Sequence, residues 1–320
     1  MPRTHTRLQD RSRSAERAGK RRLYTGEPLN LARRELAGQQ DGQPLIPAAI
    51  AGQAALETAA LLRWGRCGYS RWGEGLFERA ERQAVYPPFG FRFVTPRPES
   101  LTVDVDPEML AGFIARVLPS IDPGDAEVHG VPGLRARVHD RYVLVHRLGQ
   151  DGMIRVAASA AQWERAVALV QSGAAGTTFP WRTSPSAWTG EEKSCAASFG
   201  WLWDMGREGN QLVSGLLRRC HALNGPDITQ FWHVWRSDNQ HLILEWEGGV
   251  THQTVLDRLL DPEGGLAITA PSRPCRCEVP QPLVRAGAGA LVREDTCFTV
   301  HVSAPGVRGI SLRRLLPWEE

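Results

Sequence analysis

The strongest constraint on the fold is a stretch of alternating residues at 231–247, FWHVWR-SDNQ-HLILEWE. A two-residue turn at Asp238-Asn239, residue types that tolerate positive φ, predicts a β-hairpin here. In that register Trp235 lies opposite Leu242, and strand alternation places both on one face. The same face then holds His233 with Leu244 and Phe231 with Trp246. A slip of one residue would destroy this agreement, so the pattern favours this register.

Amphipathic helices are predicted on both sides of the hairpin. Residues 210–225 carry their apolar side chains on one helical stripe. Thr251 is suited to cap a second helix over 251–261. With extended segments at 199–204 and 266–269, the order reads β-α-β-β-α-β, which is that of the ferredoxin-like fold.

An earlier part of the chain repeats this order. LTVDVD at 101–106 precedes a predicted helix with Pro107 in its first turn. The segments LRARVH and YVLVHR form a hairpin if Asp140-Arg141 is the turn, and MIRVA adds a short strand. Ser159 and Gln162 make a capping box for the next helix. We therefore expect two ferredoxin-like domains that arose by internal duplication.

The expected fold class is α+β, with two tandem ferredoxin-like (βαββαβ) domains and an N-terminal helical extension. A length of 320 residues is enough for two domains. The predicted divisions are a disordered basic arm (1–22), a helical extension (23–88), a first α+β domain (89–180), a linker (181–193), a second α+β domain (194–270) and a C-terminal hairpin appendage (271–320).

Composition limits the cellular setting. The sequence has no run of 18 apolar residues, so no transmembrane helix and no membrane partner are expected. Residues 1–22 lack the apolar core of a secretory signal, which favours the cytoplasm. Six cysteines are too few for a disulfide scaffold in a chain of this length, so most are expected to be reduced thiols.

Positive charge is concentrated at the N-terminus. The net charge is +3, yet residues 1–35 hold ten Arg or Lys against four acidic residues. A basic arm on a near-neutral body is one signature of nucleic-acid contact. The binding candidates within the arm are Arg17, Lys20, Arg21 and Arg22. The alternative is a solvated tail that binds nothing specific.

The second binding candidate is the face of the 231–247 hairpin opposite its predicted core. It would carry Trp232, Arg236 and His241. A ferredoxin-like sheet has helices on one face only, and an open face with Trp, Arg and His is suited to stacking bases. The alternative is that another part of the chain covers this face.

The sequence does not indicate a metal or cofactor. Cys275, Cys277, Cys297 and His301 resemble a zinc set, but a regular strand separates the last two by about 13 Å at ~3.3 Å per residue. A single zinc ion cannot reach both. Neither a phosphate-binding loop nor a catalytic signature is present. No metal and no cofactor are therefore expected.

The leading functional hypothesis is a cytoplasmic, non-enzymatic binding or assembly protein whose partner is nucleic acid or another protein. The arm and the aromatic sheet face support it. The alternative is an enzyme of the second domain, with RNA as one substrate class, that acts through His233, His241 or Cys195. In that reading Cys195 pairs with His221 or His233 as nucleophile and base.

Overall fold

The computed structural model describes residues 3–39, 42–65, 90–122, 128–174, 176–200, 204–224, 232–236, 241–247, 250–266, 274–275, 291–293, 297–304 and 307–317. Its α-helices are α1 Arg3–Thr25, α2 Leu29–Ala37, α3 Ala51–Trp64, α4 Leu110–Val117, α5 Ala160–Ser172, α6 Pro180–Thr183, α7 Gly190–Phe199, α8 Gly206–Leu217 and α9 His252–Leu260. A 3₁₀ turn, Cys220–Leu223, follows α8.

The strands fall into two larger sheets and a two-stranded pair. They are β1 Phe91–Arg97, β2 Ser100–Val105, β3 Ser120–Ile121, β4 Val128–His129, β5 Leu134–Val138, β6 Val143–Arg147, β7 Met153–Val156, β8 Trp232–Arg236, β9 His241–Glu247, β10 Pro274–Cys275, β11 Leu291–Arg293, β12 Cys297–Ala304 and β13 Val307–Pro317. The protein is therefore of the α+β class.

The first sheet is mixed and has the order β1-β2-β7-β6-β5. Only β2 and β7 run parallel; the other neighbours are antiparallel. One face of this sheet is apolar and belongs to the same core as buried side chains of α4 and α5, which include Phe113 and Trp163. The predicted capping box at Ser159 and Gln162 starts α5 and is confirmed.

The second sheet has the order β10-β12-β13-β9-β8, with β11 also paired to β13. Here β9 runs parallel to β13. Each large sheet thus begins with a hairpin, continues into a helix, and pairs its last strand in parallel with the second hairpin strand. The βαββαβ order of a ferredoxin-like domain is not confirmed, because β7 lies between β2 and β6 and β1 precedes β2.

The helices that occupy equivalent places in the two sheets are not the pair that the sequence predicted. In sequence, the predicted helix at 108–119 resembles the predicted helix at 210–225, with Met109 aligned to Leu212. In the observed connections α4 follows the first hairpin as α9 follows the second. The segment at 199–204 was predicted as a strand. Its first residue, Phe199, is the last residue of α7, and residues 201–203 lie outside the described part.

The two sheets form one body through α3 and α8, which lie side by side. Beyond the end of α3, the carbonyl of Gly65 accepts a hydrogen bond from the Val234 N–H of β8, at 3.0 Å. Beyond the end of α8, His221 Nε2 bonds the Phe91 carbonyl of β1, at 2.9 Å. The end of each helix therefore reaches the sheet of the other unit.

The register of the β8–β9 hairpin differs by one residue from the prediction. Trp235 pairs with Ile243 rather than with Leu242, and Val234 pairs with Leu244. Val234 and Leu244 are both fully buried, so they share the core face. The predicted register is therefore wrong by one residue, which moves the side chains of one strand to the opposite face relative to its partner. The predicted turn at Asp238-Asn239 lies outside the described residues.

The predicted disordered arm is helical from Arg3 onwards. Tyr24, near the end of α1, is buried and its hydroxyl donates to Asp261 Oδ2 at 2.6 Å. The predicted helical extension at 23–88 contains α2 and α3, and its residues 66–88 lie outside the described part of the chain. Packing against the second unit therefore orders the end of the arm.

Two more predicted segments have a different structure. The predicted linker 181–193 contains most of α6 and the start of α7, and its Trp181 and Glu192 are buried. Within the predicted C-terminal hairpin appendage, β12 and β13 are consecutive antiparallel strands, and β11 also pairs with β13. Among the helices described, none has the length and apolar character needed to span a bilayer.

Candidate functional site

The candidate site is the face of the first sheet that points away from the core, along β5, β6 and β7. We call it the outer face. Strand pairing puts Arg137 opposite Leu144, and Leu144 opposite Arg155. Arg137 and Arg155 are exposed and Leu144 is half-buried. The two guanidinium-bearing positions therefore flank one apolar side chain across three adjacent strands.

An aromatic group closes this face at the hairpin tip. His139 and Tyr142 lie opposite each other at either side of the Asp140-Arg141 turn, and the His139 N–H donates to the Tyr142 carbonyl at 2.9 Å. Their rings stack with centroids 4.5 Å apart and an interplanar angle of 23°. The Arg155 guanidinium lies 4.5 Å from the centroid of the Tyr142 ring. His139, Tyr142 and Arg155 thus form a stacked ladder.

The outer face is positively charged. Arg137, Arg141 and Arg155 are exposed, and within the described part of the chain none of them has a carboxylate at ion-pair distance. Asp140, in the turn, is the acidic residue beside them. Burial lowers the pKa of His146, and the charges of Arg137 and Arg135 lower it further. The field at His146 therefore favours an anion on this face.

Beyond β7, part of the outward side of the sheet is buried. Thr95 and Asp104 point away from the core yet are buried. Arg92 donates to Asp104 Oδ1 from Nη2 at 2.6 Å. Burial raises the pKa of Asp104 above its ordinary value, although the hydrogen bond from Arg92 opposes the shift. Thr95 and Asp104 are therefore less accessible than Arg137 and Arg155, although Arg92 and Arg97 of β1 are more than half exposed.

The predicted arm residues are used in different ways. Arg21 is fully buried and donates to both oxygens of Glu27, with Nε–Oε2 at 2.6 Å. Lys20 Nζ lies 2.9 Å from Asp261 and 3.0 Å from Glu263. Both cations are neutralised locally, so they hold α1 in place.

Arg17 and Arg22 are more accessible. Arg17 Nη2 lies 3.4 Å from the Gln43 carbonyl, a long contact. Arg22 is exposed and lines an open cleft of about 540 Å³ with Leu23, His221 and Asn224. Burial lowers the pKa of His221, and its ring nitrogens already face the Phe91 carbonyl and the Asn224 amide. This ring is therefore committed to the fold.

The predicted aromatic face of β8–β9 is not gathered as the sequence indicated. In the observed register Trp232 and Arg236 occupy the same strand face as buried Val234. His241 occupies the opposite face, with Ile243, which is only 5% exposed. The predicted combination of Trp232, Arg236 and His241 is therefore divided between two faces of the sheet.

The candidate chemistry residues also fall in separate places. Cys195 is buried in α7, with Sγ 3.9 Å from the Val128 carbonyl, while His221 lies against β1. Cys275 pairs with Cys297 in the β10–β12 register, and His301 lies four residues further along β12. Cys277 lies outside the described residues, and among those described no group of His, Cys, Asp or Glu is arranged to hold a metal ion.

Sequence reasoning missed the outer-face residues although part of the signal was present. The turn at Asp140-Arg141 and the core face of this hairpin were predicted correctly, as the pairing of Val138 with Val143 confirms. Alternation alone then assigns Arg137, His139 and Tyr142 to the other face. What the sequence could not supply is the neighbour β7, which adds Arg155.

The fold and site define a mixed α+β protein with an exposed, basic and aromatic sheet face. Comparisons with protein-family models, curated proteins and solved structures give no match to this chain.

Proposed function

We propose that this protein is a cytoplasmic, non-enzymatic binding protein that holds nucleic acid against the outer face of its first sheet. The observation that carries the proposal is the ladder of Arg155, Tyr142 and His139 beside exposed Arg137. Basic side chains interleaved with aromatic rings on an open sheet match what nucleic-acid binding requires, because cations neutralise phosphates and rings stack bases.

Three features favour a nucleic acid over an acidic protein surface. Arg137 and Arg155 keep their charges free of carboxylate partners within the described residues. Leu144 between them supplies an apolar floor. The rings at the hairpin tip offer a flat surface, which an acidic peptide does not need. Together these groups suit a partner that combines phosphate charge with planar bases.

The test is the binding of a labelled oligonucleotide of mixed sequence over a range of salt concentrations. The Arg137→Gln/Arg155→Gln double variant is expected to bind roughly 10- to 50-fold more weakly at 100 mM salt. The magnitude of its log–log salt slope should fall by about one to two units, because each lost arginine neutralises one phosphate fewer and fewer counterions leave the nucleic acid on binding. Fluorescence anisotropy measures both quantities.

The matched control is Arg33→Gln/Arg165→Gln, which removes the same charge from exposed positions on α2 and α5. It should retain nearly the affinity and slope of the unmodified protein. If both double variants lose affinity equally, net charge rather than the outer face governs binding and the proposal fails. It also fails if the unmodified protein does not bind at low salt.

Binding should strengthen as the pH falls from about 7.5 to 5.5, close to the ordinary histidine pKa. In the free protein burial, Arg137 and Arg135 hold the pKa of His146 below its ordinary value. Phosphates on the same face would raise that pKa, so binding takes up a proton and is favoured at lower pH. Anisotropy titrations at constant ionic strength measure the effect.

Two charged groups act on His146, namely Arg135 and Arg137. The charge of Arg135 is compensated by Glu192. His146→Asn is expected to weaken the pH dependence of binding. An unchanged pH dependence in His146→Asn would contradict this assignment.

The internal duplication belongs to the same proposal. Its support is the order of connections that the two large sheets share. On this view the duplicated unit is a hairpin, a helix and a final parallel strand, and the basic outer face belongs to the first copy.

A further inference from the structure

The tip of the β5–β6 hairpin has the geometry of a stacking platform. His139 is exposed, whereas Tyr142 is half-buried. One face of the His139 ring rests on Tyr142, with centroids 4.5 Å apart. Because the residue is exposed, the other ring face is open to solvent. A further planar group placed there would extend the ladder by one member.

The platform is held rigidly. The His139 N–H bonds the Tyr142 carbonyl at 2.9 Å, and the Asp140 carbonyl accepts from the Ala160 N–H at the start of α5, at 3.3 Å. Arg155 supports the ladder at 4.5 Å from the Tyr142 centroid. The rings therefore need little ordering when a ligand binds, which limits the entropy lost on binding.

We propose that the open face of His139 stacks a base of a single-stranded nucleic acid while Arg137 and Arg155 contact its phosphates. This inference rests on the proposed function and narrows its partner. In a duplex both faces of each base are already stacked, so the ladder cannot be extended without unpairing. A polyanion without bases, such as inorganic polyphosphate, engages the arginines alone.

The experiment uses the full chain and three probes: a mixed-sequence single strand of 15 nucleotides, the corresponding duplex, and inorganic polyphosphate. The unmodified protein is expected to bind the single strand more tightly than the duplex. His139→Ala should weaken single-strand binding about 5- to 100-fold, the loss of one base stack. Its salt slope and its affinity for duplex and polyphosphate should stay unchanged.

Two further variants sharpen the result. His139→Phe keeps a flat ring and is expected to recover most of the single-strand affinity. Gln150→Ala alters an exposed residue in the loop at the other end of the same sheet and should change nothing. Because His139 is exposed, its substitution should leave the melting temperature nearly unchanged. Thermal unfolding of each variant checks this.

The outcomes separate this inference from the proposed function. If no probe binds, or if loss of Arg137 and Arg155 changes nothing, the proposed function itself fails. If all three probes bind equally well and His139→Ala has no effect, polyanion binding stands and base stacking is overturned. An equal loss for single strand and polyphosphate in His139→Ala would also overturn it.

Discussion

Replacing Glu57 by glutamine is expected to lower the free energy of unfolding by about 3 to 5 kcal/mol, the usual effect of breaking a buried ion pair. Glu57 and Arg218 are both fully buried where α3 meets α8. Arg218 donates to the two carboxylate oxygens at 2.7 and 2.8 Å. The amide would leave the guanidinium charge uncompensated in the core.

Neighbouring donors add to this cost. Ser214 Oγ donates to Glu57 Oε2 at 2.5 Å, and Gln53 Nε2 donates to Oε1 at 2.6 Å. Each of the two Glu57 carboxylate oxygens therefore accepts two hydrogen bonds. In glutamine an NH₂ group replaces one of these oxygens and faces the donors that the oxygen accepted from. At least one hydrogen bond then becomes a repulsive contact between two donors.

Urea unfolding at pH 7 measures the change, with Glu35→Gln as the control. Glu35 also pairs with an arginine; its own side chain is 10% exposed, but the partner, Arg97, is 56% exposed. The control should cost clearly less than Glu57→Gln, because the arginine charge left behind stays solvated. Equal effects of the two substitutions would show that the Glu57 pair is no stronger than a surface contact.

A double variant tests whether the charge or the geometry is at stake. Glu57→Met/Arg218→Met removes both buried charges together, and its destabilisation should be smaller than the sum of the two single changes. Some cost remains, because Arg218 also donates to the carbonyls of Pro47 and Arg97 at 2.7 and 2.9 Å. Full additivity would contradict a coupled pair.

Local signals in the sequence predicted local structure well. The capping box at Ser159 depends on residues three apart, and Thr251 caps α9 as expected. The β5–β6 register follows from a two-residue turn that fits its sequence. In each case the determining interactions lie within a few residues of each other, so their pattern is visible in the sequence.

Distant partners could not be predicted in the same way. Arg218 meets Glu57 across 161 positions of the chain, and Arg135 meets Glu192 across 57. In the sequence alone, nothing distinguishes these side chains from charged residues on the surface. Burial of a charge depends on which elements pack together, and that is a property of the tertiary fold.

The candidate site shows the same division. Half of the outer face, Arg137, His139 and Tyr142, follows from alternation along one predicted hairpin. The other half, Arg155, depends on the pairing of β7 with β6. In the second hairpin a difference of one residue in register was enough to divide Trp232 and Arg236 from His241. Faces of a sheet are therefore predictable only where the turn length is.

The second large effect concerns Glu192, which fixes α7 to the edge of the first sheet. Its buried carboxylate accepts from Arg135 at 2.8 and 2.9 Å, from the Gly133 N–H at 2.8 Å and from the Thr189 N–H at 3.0 Å. Glu192→Gln should cost about 3 to 5 kcal/mol at pH 7, because Arg135 keeps its buried charge without a counterion.

The pH dependence of this effect has a definite sign. Burial alone would raise the pKa of Glu192, but the hydrogen bonds from Arg135, Thr189 and Gly133 outweigh it, and the net shift is downward. A carboxylate with a lowered pKa stabilises the folded state above its ordinary value of 4.5, and this stability is lost as the pH falls through the folded pKa. The gap between Glu192→Gln and the unmodified protein should therefore narrow below pH 4.5.

Glu191→Gln provides the matched control, since Glu191 is exposed in the same first turn of α7. It loses only a favourable charge near the helix N-terminus, worth about 0.3 to 1 kcal/mol. Urea unfolding of the three proteins at pH 7 and at stepwise lower pH decides the matter. If Glu192→Gln matches Glu191→Gln at pH 7, or if its deficit is the same at every pH, the buried carboxylate does not anchor α7 as the contacts indicate. A deficit that shrinks on acidification by clearly more than the small deficit of Glu191→Gln assigns the acid sensitivity of this part of the fold to one ion pair.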